Sequence, residues 1–104
     1  MKTNRLPDSV REYFVRKGYH CQNEQYPDFG GIILHLRTDS GRQEAAYYLA
    51  KRSNLELVSS DELRRVLDFL KGRGLPLRYV MTSSHFSPRA DSLAAENGIT
   101  LRTI

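Results

Sequence analysis

Apolar residues recur along this chain at two different periods, and the places where the period changes mark its elements. Val10, Tyr13 and Phe14 share a face at helical spacing, continued by the stem of Lys17. They sit behind Ser9-x-x-Glu12, which has capping-box spacing, and Gly18 stands where a left-handed cap would end that helix. Residues 19–26 read as a weakly patterned strand closed by Pro27. Residues 28–37 read as one limb of a hairpin: Ile32 and Ile33, then Leu34 and Leu36 alternating with His35 and Arg37, before the turn Thr38-Asp39-Ser40-Gly41. The second limb, 43–52, is open between two readings. Its residues are good helix formers, whereas tandem Tyr47-Tyr48 and the short turn favour a paired strand.

The second half is clearer. Ser59 and Glu62 form another capping box, and the helix it opens carries Leu63, Val66, Leu67 and Leu70 on one stripe, with Arg64, Arg65, Asp68 and Lys71 elsewhere. Gly72 and Gly74 end it before Pro76. Leu77–Thr82 suits a buried strand, and a polar loop, 83–86, leads to Ser87-Pro88, a hydroxyl N-cap with proline at the first helical position. The third helix turns Ala90, Leu93 and Ala94 inward and stops at Asn97-Gly98. Residues 99–104 alternate, with Ile99, Leu101 and Thr103 as the candidate core side. The order is α-β-β-β-α-β-α-β, in which three antiparallel strands lead into a β-α-β unit whose crossover should be right-handed.

A length of 104 residues suits one domain over 1–104, with residues 1–7 as a flexible lead-in. No apolar run approaches the roughly 20 residues of a membrane span, and residues 6–19 lack the layout of a secretion signal. The single cysteine, Cys21, excludes an internal disulfide and a Cys-rich metal site, so a cytoplasmic setting is expected. Sixteen Lys and Arg against twelve Asp and Glu give a net charge of +4. Apart from Lys2 and Arg5 the basic residues lie in predicted ordered segments, which makes a phosphate-bearing partner plausible.

Three fragments carry a family resemblance: Gly18-Tyr19 after the first helix, Gly30-Gly31-Ile32 before the second strand, and the tail from Thr82-Ser83-Ser84-His85-Phe86-Ser87-Pro88-Arg89-Ala90 to Asn97-Gly98-Ile99-Thr100-Leu101. Over residues 8–104 the chain resembles the Mrr type of restriction enzyme, within the PD-(D/E)xK nuclease superfamily. The resemblance implies an α/β fold, a restriction-endonuclease-like three-layer sandwich on a mixed central sheet, and it favours strand over 43–52. It also implies a site in which an Asp on the second strand and a Glu or Gln two residues before a Lys on the third hold a divalent metal and activate water, because a hard cation takes oxygen ligands. Laid on those motifs, Ile33 falls at the Asp position, Leu49 at the Glu/Gln position, and Lys51 at the lysine.

The expected site residues follow. Lys51 and Asp28 are the catalytic candidates, Asp28 as a carboxylate relocated to the strand mouth, with Asp8 or Glu12 as possible additions. Glu44 is a poor substitute because its odd spacing from Lys51 points it to the other face. Arg37, Lys51, Arg52, Ser83, Ser84, His85 and Arg89 are candidates for binding nucleic acid, the 87–89 amides adding the anion preference of a helix N-terminus. His20, His35 and His85 show no metal-ligand spacing. The leading expectation is a nuclease-fold domain with a degenerate catalytic motif that binds double-stranded DNA and needs no cofactor. One alternative is an active Mg²⁺- or Mn²⁺-dependent endonuclease with relocated carboxylates. Another is an assembly module unrelated to nucleic acid, in which a terminal strand pairs with a second copy to form a homodimer.

Overall fold

The computed structural model describes residues 5–53 and 55–104. Three main helices and a five-stranded sheet follow the expected order: α1 (Asp8–Arg16), β1 (His20–Gln25), β2 (Ile32–Arg37), β3 (Gln43–Leu49), β4 (Leu57–Val58), α2 (Ser60–Lys71), β5 (Leu77–Thr82), β6 (His85–Phe86), α3 (Pro88–Glu96) and β7 (Thr100–Thr103). The sheet runs β1-β2-β3-β5-β7, antiparallel across the first three strands and parallel from β3 to β7. β4 and β6 form a two-residue parallel pair that the sequence did not reveal. Among the described residues no helix is long and apolar enough to cross a membrane.

Residues 43–49 are extended because they form the central strand, paired with β2 on one side and β5 on the other. Burial on both faces overrides their helix propensity. Alternation sends Ala45 and Tyr47 to one face, packed with Ile33, Leu63, Val66, Leu70, Val80, Ala90 and Leu93, and Ala46 and Tyr48 to the other, packed with Val10, Phe14, Ile32, Leu34, Leu36 and Met81. The result is three layers: α1, the sheet, then α2 with α3.

The α2 capping box forms as read, the Ser59 hydroxyl accepting from the Glu62 amide at 3.2 Å and Glu62 Oε1 from the Ser59 amide at 3.0 Å. The one proposed for α1 does not. Pro7 is the N-cap and Asp8 the first helical residue, so Ser9 already lies inside the helix, beyond the position from which a hydroxyl caps it. The helix ends at Arg16 with Lys17 as its C-cap, and Gly18 follows in the left-handed conformation expected of it, with the Tyr19 amide reaching the Phe14 carbonyl at 3.0 Å. Of the expected lead-in, residues 1–4 fall outside the described part, and Leu6 packs against the α1-face core. β7 lies at the sheet edge; of the side expected to face the core, Ile99 is buried and Leu101 half-buried, while Thr103 is exposed.

Candidate functional site

Because β3, β5 and β7 are parallel, their carboxyl ends meet on one edge, and β2, running the other way, begins there. That edge collects Gly30-Gly31, the segment from Leu49 to Arg52, Thr82-Ser83-Ser84 and Thr103. Hydroxyl groups knit it together. Thr82 Oγ1 donates to the Leu49 carbonyl at 2.7 Å, Ser83 Oγ accepts from the Lys51 amide at 3.0 Å, and Thr103 Oγ1 donates to the Ser84 carbonyl at 2.7 Å. Ser84 is fully buried, donating to the Glu56 carbonyl at 2.5 Å. This fixes the backbone that carries Lys51.

Lys51 does not face open solvent. Its Nζ donates to both carboxylate oxygens of Glu62, at 3.0 and 2.8 Å, with side chains 16% and 28% exposed. Burial alone would push the Glu62 carboxyl up, but the Lys51 hydrogen bond and the Ser59 amide outweigh it and hold the group below its ordinary range. Tyr47 lies on the same face, its hydroxyl donating to the Gly30 carbonyl at 2.7 Å. Burial first, and then the negative charge of Glu62, raises its phenol. Its ring covers Gly31, which has φ +78° and where a Cβ would sit 2.5 Å from Tyr47 Cε1 and Cζ. Glycine is therefore required there for both conformation and space.

Ile33 pairs with Tyr47 and is fully buried; Leu49, two residues further along β3, is half-buried against the same core. The two positions that the resemblance lays on the family's carboxylates are hydrocarbon. Among the described residues, no group of three His, Cys, Asp or Glu side chains could hold a metal ion. The residues present do not fit a divalent metal in the family's manner: Ile33 and Leu49 offer no oxygen, and both oxygens of Glu62 are engaged by Lys51.

The other candidates separate. Asp28 is exposed in a turn closed by the Gly30 amide on the Pro27 carbonyl, while the carboxylate partner of Lys51 is Glu62. Asp8 and Glu12 are exposed on α1, which packs on the opposite face of the sheet. Glu44 points away as its parity required: it is buried, accepting from Tyr19 Oη at 2.8 Å and Arg42 Nε at 3.0 Å. Arg37 pairs with Gln43, at the far end of β3 from Leu49 and so about 20 Å from the Lys51 edge. The expected grouping of Arg37 with Lys51 is therefore corrected, because antiparallel pairing carries β2 away from its glycine mouth. Ser84 is likewise removed from the contact surface by its burial. Arg52, Ser83, His85 and Arg89 are exposed on or beside the edge. Arg89 shares a shallow cleft between α2 and α3 with Ser60, Arg64 and Ser92. In the sequence Arg64 belongs to a solvated helix face and Glu62 to a cap alone, since neither the cleft nor the Lys51 contact shows in local spacing.

A mixed sheet between one helix and two, with its chemistry gathered at the carboxyl ends of β3 and β5, defines a nuclease-type α/β domain. The whole chain, residues 1–104, matches the restriction endonuclease family of the Mrr catalytic type, and the protein belongs to that family. Its fold is similar to EndoMS in its apo form (TM-score 0.62, 12% identity, 99% of this chain and 48% of that one). It is also similar to the MspJI restriction endonuclease in complex with a 27-mer oligonucleotide (TM-score 0.65, 19% identity, 93% and 23%). A repair endonuclease from Pyrococcus abyssi aligns as well (TM-score 0.54, 15% identity, 100% and 49%). At these identities the likeness concerns the fold alone. The chain spans about half the length of EndoMS and of the Pyrococcus enzyme and less than a quarter of MspJI. No curated protein matches it.

Proposed function

We propose that this chain is a nuclease-fold domain that binds double-stranded DNA without cutting it, with a binding or regulatory role in DNA restriction or processing in the cytoplasm. One observation carries the reading: the two ligand positions are Ile33 and Leu49, and the surviving Lys51 is held by Glu62. Two of the three Lys51 ammonium donors and most of its charge are committed to Glu62, which leaves it weakened as a group to orient water or steady a phosphate. Arg52, Arg64 and Arg89, with Ser83 and His85, supply a cationic and hydrogen-bonding edge suited to phosphates. Support also comes from similar folds solved with nucleic acid, an oligonucleotide for MspJI and double-stranded DNA for EndoMS.

Titrating a fluorescently labelled duplex with the protein at several salt concentrations tests the binding. With three or four phosphate contacts, log K should fall against log salt with a slope of about −3. No binding at low salt, or binding with no slope, would overturn the reading. Nicking that requires Mg²⁺ and is lost in both Lys51→Ala and Asp28→Ala would favour an active endonuclease with relocated carboxylates instead.

A further inference from the structure

On the α1 face of the sheet, where Tyr19 and Tyr79 pack, the joint between α1 and β1 meets the β2–β3 turn. Between them lies an open cavity of about 430 Å³ lined by Lys17, Gly18, Tyr19, Thr38, Arg42 and Tyr79. That volume falls in the range of small-molecule sites. Two of the lining groups are anchored on a buried carboxylate. Glu44, its side chain 4% exposed, accepts from the Tyr19 hydroxyl at 2.8 Å and from Arg42 Nε at 3.0 Å, and Arg78 Nε stands 3.7 Å away. The Tyr19 hydroxyl has one proton and gives it to Glu44, so the Tyr79 hydroxyl is the donor in their 3.2 Å contact. That contact is long for two hydroxyl oxygens, and the Tyr79 proton turns to a better acceptor at small cost.

The charges around the cavity do not cancel. Arg42 commits only Nε to Glu44; its two terminal nitrogens and the Lys17 ammonium make no hydrogen bond among the described residues, and Lys17 Nζ lies 5.3 Å from the Tyr13 ring centre. Asp39, exposed in the same turn, bonds to His20 at 2.7 Å, and Arg37 stands opposite His20 in the strand pairing. Lys17, Arg37, Arg42 and Arg78 against Glu44 and Asp39 are four cations against two carboxylates, an excess of two positive charges. The negative end of α1 also abuts the cavity, but the Tyr13, Phe14 and Val15 carbonyls there already accept from the amides of Lys17, Tyr19 and Gly18. A carboxylate ligand would answer half of that excess. A phosphate group takes both charges, and its oxygens accept from an arginine fork, an ammonium and a hydroxyl together. We propose that this cavity is a phosphate-binding site, in which Arg42 and Lys17 hold the oxyanion from two walls and Tyr79 donates to it. The phosphate belongs to a free phosphorylated small molecule or to a nucleic-acid strand, and the inference does not depend on the DNA-binding reading above.

The test follows the amide resonances of the intact, ¹⁵N-labelled 104-residue chain during titration with inorganic phosphate, the ionic strength being held constant with chloride. The Gly18, Tyr19, Thr38 and Arg42 amides should shift together and saturate, while acetate at the same concentrations should move them little. Arg42→Gln should weaken the binding by about tenfold, through loss of a charge-assisted hydrogen bond. That variant also disturbs Glu44, so Lys17→Gln, at an exposed position with no hydrogen bond to lose, provides the independent check: binding weaker by about threefold to fivefold with an unchanged thermal melt. A short duplex with 5′-hydroxyl ends, added in place of phosphate, separates the sources. Shifts at the same amides assign the site to strand phosphates, and shifts with inorganic phosphate alone assign it to a free phosphorylated ligand. No saturable shift with either probe, equal shifts with acetate, or both variants binding phosphate as the wild type does would overturn the proposal. Each of those results leaves the duplex-binding reading to stand or fall on its own titration.

Discussion

Lys51 on the β3 extension and Glu62 in the first turn of α2 share two hydrogen bonds, 3.0 and 2.8 Å long, so the ammonium at the candidate edge has its charge neutralised within the fold. The pair makes Lys51 a poor phosphate ligand. Lys51→Ala should therefore leave duplex affinity within about twofold and the salt slope unchanged, whereas Arg52→Ala and Arg89→Ala should each weaken binding several-fold and reduce the slope by about one. Glu62→Gln, which frees the ammonium, should tighten binding. Anisotropy titrations at several salt concentrations check all four variants.

The same pair makes stability depend on acid. The Glu62 carboxyl is held below its ordinary value, so its contribution is present above the unfolded carboxylate range and is lost as pH falls through the lowered folded value. Glutamine can still complete the capping box with Ser59, so Glu62→Gln isolates the charge. The variant should lose roughly 0.5–1 kcal/mol near neutral pH, given the partial exposure of the pair, and converge on wild type in acid. Urea midpoints measured across the acid limb would show this convergence.

Gly31 and Gly30 differ in a way that one substitution at each will show. Both have positive φ, but a Cβ on Gly31 runs into the Tyr47 ring while one on Gly30 meets nothing within 4 Å. Gly30→Ala should cost about 1–2 kcal/mol for conformation alone, and Gly31→Ala distinctly more, since the buried tyrosine has no room to retreat. Thermal melts of the two variants give the comparison.

Alkali should act through two tyrosines. Burial raises the phenols of Tyr47 and Tyr19, the latter aided by its hydrogen bonds to Tyr79 and Glu44. A raised folded pKa means that the stabilisation is complete below the phenol's ordinary value of 10.0 and is lost as pH climbs beyond it. In a spectrophotometric titration, two of the six tyrosines should ionise only together with loss of near-ultraviolet circular dichroism. Smooth ionisation of all six in a folded chain would contradict this.

Much of this architecture is written in local pattern. The Ser59–Glu62 box, the Leu63-Val66-Leu70 stripe and Ser87-Pro88 each specify their helix from neighbours within a few residues, and α2 and α3 form where expected. β3 is different: Gln43–Leu49 is helical by propensity, and only its place between β2 and β5 makes it extended. The site was legible where parity decides, as with Glu44 turned away from Lys51. It was illegible where partners meet through the fold. Glu62 reaches Lys51 only because α2 packs back over β3, Ser84 reads as a polar loop residue until the fold buries it against the Glu56 carbonyl, and Arg37 is distant only because β2 runs opposite to β3. The cavity that Lys17, Arg42 and Tyr79 line draws on three separate segments and gave no signal at all.

The proposal that the domain binds DNA without cutting it is tested most directly by incubating supercoiled plasmid with a stoichiometric amount of the protein at low salt, with Mg²⁺ or Mn²⁺, and running the products before and after protease digestion. The expected result is a retarded band that returns to intact supercoiled plasmid once the protein is removed. Nicked or linear plasmid formed only with metal, and abolished by Lys51→Ala, would contradict it.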